Sequence, residues 1–227
     1  MSYTLIAYEY ECDVDVADAG PSYSRSLSVC PARRRYTMAD TLSDTTVAVF
    51  LAPRGTEEVE FTEPKQAVED AGASVDVVGS ETSEVQTVNN DLDPGDTFEV
   101  ERTFTEVSAT DYDGLIVPGG AVGADQLRAD DDAVSLVTEF VEAEIPIGVI
   151  CHGPWTLVEA DVVEGRTLTS FHSLQTDIRN AGGEWVDREV VVDEGIVTSR
   201  NPDDLPSFCD KIVEEFEEGT HQRDEPA

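Results

Sequence analysis

The sequence predicts an α/β fold, a mostly parallel sheet with helices on both faces, and three observations carry that prediction. Continuous apolar runs at residues 46–52, 115–117 and 147–150 have strand length without polar alternation, as strands covered on both sides do. The first run is followed by a helix-like segment and a second strand-like run at 74–78, a β-α-β spacing that favours a right-handed parallel crossover. The run at 147–150 ends in Cys151-His152-Gly153-Pro154 and passes into an apolar helix-like segment at 155–160. That pattern is strand, sharp turn, helix, with a thiol at the turn: the cysteine counterpart of a nucleophile elbow.

Residues 1–44 differ from the rest. They hold Pro21, Pro31, a Ser-rich patch and the basic run Arg33-Arg34-Arg35, with no convincing hydrophobic period. They are expected to form an irregular extension, with Met38 the true start and residues 1–37 an over-extended reading frame. A folded domain is expected over 45–217 and a frayed tail over 218–227. Within the domain, 46–52 is a central strand. The turn Pro53-Arg54-Gly55 leads to a helix that closes at Gly72, a suitable C-terminal cap. Pro64 is awkward inside that helix and predicts a kink or a late start. Residues 74–78 form the next strand. Residues 79–110 are more polar. The cluster at 89–96 is expected to be a loop or turn of acidic surface, and it lacks the closing Glu and central Gly of a calcium-binding EF-hand loop; short strands are expected at 97–100 and 103–104. The buried run at 115–117 ends at Gly119-Gly120. Residues 132–144 form an amphipathic helix with Val134, Val137, Phe140 and Val141 inward. After the elbow come a strand at 167–170, a short helix at 173–181, strands at 185–186, 190–192 and 196–198, and a closing helix at 203–216. Cys209 falls on the packed side of that helix as a structural thiol.

At 227 residues with 40% hydrophobic content, the chain can bury a sizeable core. No apolar run approaches the roughly 20 residues that span a bilayer, and the first residues lack the basic and apolar regions of a signal peptide, so a cytoplasmic location without membrane contact is expected. The four cysteines (Cys12, Cys30, Cys151, Cys209) show no CxxC spacing, which argues against structural zinc and a disulfide framework. Three histidines make no ligand spacing, so no metal is expected. The formal net charge of −35, with Lys65 and Lys211 the only lysines, excludes nucleic-acid binding through a basic footprint. A carboxylate-coated surface so poor in lysine resembles proteins of salt-loving archaea, for which low salt is expected to be destabilising.

The loops after Ala52, Val117, Ile150 and Ser170 fall at carboxyl ends of strands, where open α/β sheets bind ligands. They are expected to gather Glu57, Gly120, Cys151, His152 and His172. A helix starting just after Cys151 favours thiolate over thiol. An acid, a backbone oxyanion site, a thiol and an imidazole together suit addition of a thiolate to a carbonyl. Each feature also has a plainer role: a strand-end cysteine can be a small buried hydrophobe, and Gly119-Gly120 a tight turn. His172 can line a pocket or cap the following helix, and capping is the preferred reading.

The segments Phe50-Leu51-Ala52, Glu57-Glu58-Val59-Glu60, residues 113–120, Ile150-Cys151-His152-Gly153-Pro154 and residues 180–187 together resemble the DJ-1/PfpI superfamily, most closely its PfpI branch of intracellular proteases. The resemblance covers about residues 45–217. It implies a flavodoxin-like three-layer sandwich related to the class I glutamine amidotransferase-like fold. It implies Cys151 as nucleophile, Glu57 as the acid beside it, and the backbone N–H groups of Gly120 and His152 as oxyanion donors, with Gly119, Gly153 and His172 as further pocket residues. It also implies a homo-oligomer, dimer or larger, in which Asp125 reaches a neighbouring subunit's histidine, although the family often has Glu there. His172 departs from the family's common Pro. No cofactor is expected. Three functions follow: cofactor-free chemistry on reactive carbonyls or glycated adducts, of the glyoxalase III or deglycase kind; peptide hydrolysis by Cys151, His152 and Asp125 across an interface; and a non-catalytic redox-sensing stress protein or chaperone. A glutamine amidotransferase would need a downstream His-x-Glu pair, which neither His172 nor His221 begins.

Overall fold

The computed structural model describes residues 41–219. The proposed start at Met38, the extension up to residue 40 and the last eight residues lie outside the described residues. In chain order the elements are β1 (Thr46–Phe50), α1 (Glu58–Asp70), β2 (Ser74–Gly79), β3 (Glu84–Asn89), β4 (Asp93–Glu99), β5 (Arg102–Thr103), β6 (Gly114–Val117), α2 (Ala121–Arg128), α3 (Asp131–Glu142), β7 (Ile147–Ile150), α4 (Pro154–Glu159), β8 (Thr167–Leu168), α5 (Gln175–Asn180), β9 (Glu184–Trp185), β10 (Val190–Asp193), β11 (Ile196–Ser199) and α6 (Leu205–Glu218). The central sheet has seven strands in the order β10-β11-β7-β6-β1-β2-β5. All neighbours are parallel except β10 and β11.

Alternation along the buried strands builds the three layers. Ala48 and Phe50 of β1, Leu115 and Val117 of β6, and Ile147 and Val149 of β7 pack on one face, against Leu127 of α2, Leu136, Val137 and Phe140 of α3, Leu157 of α4 and Ile178 of α5. Val47 and Val49, Ile116, Ile150 and Val197 pack on the other, against Phe61 and Val68 of α1 and Phe208, Ile212 and Phe216 of α6. The expected α/β sandwich with a mostly parallel sheet is therefore the observed fold. Leu42, expected in the irregular extension, is fully buried in the second core, and its N–H donates to Ala71 O at 2.8 Å, so the packed domain takes in residue 42.

Local departures have physical causes. α1 runs from Glu58 to Asp70 with Pro64 buried inside it, so the proline is not a late start. Gly72, at φ +103, follows the helix end as expected. Within the loop or turn expected at 89–96, the turn is residues 90–92 and the rest is strand. β3 and β4 form an antiparallel hairpin whose turn takes Asn90 and Asp91 into the left-handed region, φ +53 and +63, which Asn and Asp tolerate better than other side chains. α2 was not expected from the sequence. Its eight residues Ala121–Arg128 show too short an apolar pattern to declare a helix. In α3 the inward face is Ala133, Leu136, Val137 and Phe140; Val134 and Val141 are only half-buried, a one-residue rotation of the expected stripe. Among the described residues no helix is long and apolar enough to cross a membrane.

Candidate active site

β7 ends at Ile150 and delivers Cys151 to the carboxyl edge of the sheet in the left-handed conformation, φ +61. For a side chain bearing a Cβ this conformation costs about 1–3 kcal/mol and persists only where neighbours over-determine it. Here Cys151 N–H donates to Ser199 O of β11 at 3.1 Å, Phe171 N–H donates to Cys151 O at 2.8 Å, and Gly153 N–H closes the turn on Ile150 O at 2.9 Å. α4 then starts at Pro154, a favoured first helical residue. Gly153 is buried between β6 and β7, and a Cβ there would meet Ile150 O and Val117 O at 2.9 Å, so it serves close packing and not the pocket.

Cys151 is buried, 6% exposed. The backbone N–H groups of Gly120 and His152 both lower the thiol's pKa, the effect of donors beside the sulfur. His152 Nδ1 lies 3.3 Å from Sγ, and Nε2 lies 3.4 Å from Ser173 Oγ. The ring stacks on Phe171, centroids 4.6 Å apart, and burial lowers its pKa, which favours a neutral imidazole.

The acid against the thiol is Glu60, not Glu57. Glu60 is fully buried in the first turn of α1, beside Cys151, and accepts Gly119 N–H on Oε2 at 3.1 Å, while its Oε1 has no hydrogen-bond partner. Burial, with smaller contributions from the Glu57 and Asp91 charges, pushes its pKa up to about 8, against the pull of the Cys151 side chain and the Gly119 N–H. Near neutral pH it is therefore mostly a neutral acid that can donate to a thiolate. Burial and then the Glu60 charge raise the Cys151 pKa overall, against the expectation that the helix start favours thiolate; the Gly120 and His152 N–H groups offset only part of this. Protonation of Glu60 removes its charge, so the two groups titrate as a pair. Gly119 is required by close approach: a Cβ there would lie 2.5 Å from Glu60 Oε2 and 2.7 Å from Cys151 Cβ.

Glu57 sits at the N-cap of α1. Its carboxylate accepts the backbone N–H groups of Asn90 and Asp91, at 2.8 and 3.0 Å, and so ties down the β3–β4 turn. Position explains the exchange. The buried face of α1 carries Glu60, Phe61, Pro64 and Val68, so Glu60 is a carboxylate on an otherwise apolar helical stripe. That break in period was the signal available in the sequence. Glu58 also belongs to the hairpin: it accepts the Thr87 hydroxyl at 2.8 Å and the Asp96 N–H, and the Asp96 bond is the main cause holding its carboxyl below the usual range.

Asp125 is not brought to the thiol within this chain. It lies on α2 with its side chain 56% exposed and pairs with Arg128 at 3.1 Å. His172 makes no capping hydrogen bond; it touches the Phe171 ring and lines a cleft of about 250 Å³ with Phe171, Gln175, Trp185 and Arg200, a cleft whose lining does not include Cys151 or His152. Cys209 is half-buried against the α1–α6 core, and burial pushes its thiol up to about 12, which suits an inert structural role. Asp91 was missed altogether. It is not merely acidic surface, because its Oδ1 accepts Ala121 N–H at 2.7 Å beside the site. Among the described residues no group of three or more His, Cys, Asp or Glu could hold a metal ion.

The model of the DJ-1/PfpI family matches residues 45–215. YraA of Bacillus subtilis (strain 168), whose name gives it only provisionally as a cysteine protease, is 40% identical over 152 residues, 67% of this chain and 87% of that protein. Among solved structures, DJ-1beta of Drosophila melanogaster is 29% identical with a TM-score of 0.68, over 76% of this chain and 90% of that one. A two-domain protein of Anabaena variabilis, containing dj-1/thij/pfpi-like and ferritin-like domains, is 30% identical with a TM-score of 0.72, over 81% of this chain and 52% of that one.

Proposed function

The chain belongs to the DJ-1/PfpI family, and from that premise we propose a cofactor-independent, Cys151-dependent enzyme that acts on small reactive carbonyl compounds or their glycated adducts. The observation that carries this reading is the buried Glu60 carboxyl against the sulfur, with its pKa pushed up to about 8. Such a group can give a proton and take one back at neutral pH. With an α-oxoaldehyde such as methylglyoxal, the Cys151 thiolate would add to the aldehyde carbon while the Glu60 proton passes to the carbonyl oxygen, giving a neutral hemithioacetal. The Gly120 and His152 N–H groups would hold the developing oxyanion. Glu60, now a carboxylate, would take the proton from that carbon and return it to the adjacent one, giving a thioester of lactate. Water would cleave the thioester, releasing lactic acid and restoring the thiolate and the protonated Glu60. The neutral His152 ring can accept a proton from the attacking water at this step.

Peptide hydrolysis is the second reading, favoured by the name of YraA. It asks for a carboxylate to orient His152. In this chain His152 Nε2 meets Ser173 Oγ at 3.4 Å instead, so the acid would have to come from another copy, with Asp125 the candidate. Redox sensing by Cys151 without turnover is the third.

The test is methylglyoxal consumption with lactate release in molar potassium chloride, for wild type and Cys151→Ala. Turnover that falls to background in the variant supports thiol-dependent carbonyl chemistry. A folded wild type without turnover overturns it, and peptide cleavage is then assayed.

A further inference from the structure

Three consecutive backbone N–H groups run past the sulfur, and their partners alternate. Gly119 N–H goes to Glu60 Oε2 at 3.1 Å. Gly120 N–H acts on the Cys151 sulfur, lowering the thiol's pKa. Ala121 N–H goes to Asp91 Oδ1 at 2.7 Å. The carbonyls are held as well: Gly119 O accepts Glu57 N–H at 3.3 Å, and Gly120 O accepts Ala124 N–H at 2.9 Å. Gly120, at φ +87 and ψ 128, lies between two peptide planes and has no Cβ to restrict their rotation. Both planes must be pinned before its N–H has a fixed direction. The plane before it is pinned by Glu57 N–H, through a long bond. The plane after it is pinned by the first helical bond of α2 and by Asp91.

Asp91 is itself held in place. It sits in the turn of the β3–β4 hairpin, whose two left-handed residues present consecutive N–H groups to the Glu57 carboxylate. The hairpin is joined to the same stretch by Val88 N–H, which donates to Thr56 O at 2.9 Å. A single chain of bonds thus runs from the N-cap of α1, through the hairpin turn, to the N-terminus of α2.

We propose that Asp91 is a positioning residue: by taking the Ala121 N–H it aims the Gly120 N–H at the Cys151 sulfur and at the oxyanion formed beside it. The proposal rests on Cys151 being the reacting thiol and deepens that reading. It also gives Glu57 a role through Asp91, as the anchor of the turn that presents it.

Charge and positioning make different predictions, because Asp91 carries both. The charged or titratable groups around the thiol are Glu60, Glu57, Asp91 and His152, with His172 acting on His152. Asp91→Asn removes the charge and keeps an oxygen that can accept the Ala121 N–H. Asp91→Ala removes both. Ala121→Pro keeps the Asp91 charge and removes the N–H it binds, at a first helical position where proline is favoured. The readout is the pH dependence of iodoacetamide alkylation of Cys151, followed by mass spectrometry of its peptide, with near-ultraviolet circular dichroism confirming the fold. If Asp91 positions Gly120, the alkylation midpoints of Asp91→Ala and Ala121→Pro lie about one pH unit above that of Asp91→Asn, a roughly tenfold loss of thiolate at fixed pH. Turnover of methylglyoxal follows the same order, with kcat about tenfold to 100-fold lower in Asp91→Ala than in Asp91→Asn at similar KM. Coincidence of either Asp91→Ala or Ala121→Pro with Asp91→Asn overturns the proposal. Alkylation needs no physiological substrate. A wild type that turns over no α-oxoaldehyde but keeps the alkylation contrast therefore loses the proposed substrate and keeps this inference.

Discussion

The two sides of the site meet at one sulfur but are fastened by different means. The elbow is fastened by backbone: Cys151 is tied to Ser199 O and Phe171 N–H, and Gly153 N–H to Ile150 O. The acidic wall opposite is fastened by side chains. Glu57 takes two N–H groups of the hairpin turn, Glu58 takes Thr87 and Asp96, and Asp91 takes Ala121. Backbone bonds between neighbouring strands do not depend on protonation. Carboxylate bonds do, and the wall gathers Glu57, Glu58, Glu60 and Asp91 in a chain whose formal net charge is already −35. The thiol is therefore held by a rigid frame, while the group that moves its proton stands on a wall responsive to charge and salt.

Replacing the proton carrier gives the largest expected effect. Glu60→Gln keeps the shape and removes the exchangeable proton, and α-oxoaldehyde turnover is expected to fall by roughly 10²–10⁴-fold. The alkaline limb near pH 8 should vanish from the pH profile of whatever activity remains. The same variant tests stability. The Glu60 pKa is raised in the folded protein, from 4.5 to about 8, so the native state holds the proton more tightly than the unfolded state does. Its contribution is full below about pH 4.5 and is lost as pH rises toward 8. The loss amounts to no more than about 5 kcal/mol, because desolvation and the thiol share it. Denaturant midpoints of wild type should therefore fall between pH 5 and 9 relative to those of Glu60→Gln. Parallel curves would show that the buried carboxyl does not titrate in this range.

A smaller effect comes from the hinge between the two sides. Gly120→Ala places a Cβ 2.2 Å from Gly55 O while demanding φ +87 of a residue with a side chain. The backbone conformation alone costs about 1–3 kcal/mol, and the clash with another backbone adds to it. Urea denaturation should show a clear loss of stability, and alkylation of Cys151 should slow as the oxyanion donor shifts. Wild-type stability and thiol reactivity in this variant would mean that the turn relaxes freely and that the wall is not rigid.

Salt acts on the wall more than on the frame. Raising potassium chloride to 1 M shortens the Debye length to about 3 Å, which screens repulsion between separated carboxylates and leaves bonds in direct contact. The thermal midpoint should rise with salt, with the largest gain in hydrogen-exchange protection at the Asn90 and Asp91 amides and the smallest at Cys151. A midpoint that is flat or falling with salt would remove the expectation drawn from the lysine-poor composition.

This difference in fastening also governs what the sequence could reveal. The elbow is local. A strand, a left-handed residue and a helix start all fall within residues 147–154, so the chain order by itself places Cys151, His152 and the following helix. Gly120 was accessible for a similar reason, since a glycine pair closes a buried strand. The wall is assembled from distant pieces. Glu57 and Glu60 are separated by three positions on one helix start, and only the exact first residue of α1 decides which of them turns toward the sulfur; helix boundaries are the least certain feature of a sequence pattern. Asp91 lies 30 positions before the amide it binds, in a hairpin turn whose composition matches any acidic loop. The parallel sheet was legible because its strands are buried on both faces, and α2 was not because eight residues give too little period.

The smallest expected effect separates the two enzymatic readings. Asp125→Asn removes an exposed pair with Arg128, three residues along the same helix. Surface pairs of this kind contribute about 0.2–0.5 kcal/mol, so stability should hardly change. If the site works within one chain on carbonyls, methylglyoxal turnover should also stay within about twofold, because Asp125 touches neither Cys151 nor His152 and any charge effect is screened in molar salt. If the site hydrolyses peptides across an interface, Asp125 is the acid that orients another copy's histidine, and peptide cleavage should fall by roughly 10²-fold or more. Size-exclusion chromatography of the same variant shows whether the assembly persists. A loss of peptide cleavage with the oligomer intact would assign the acidic role to Asp125 and shift the reading from a one-chain carbonyl enzyme to an interfacial peptidase. Unchanged cleavage would leave Glu60, on the wall of the same chain, as the acid that the thiol uses.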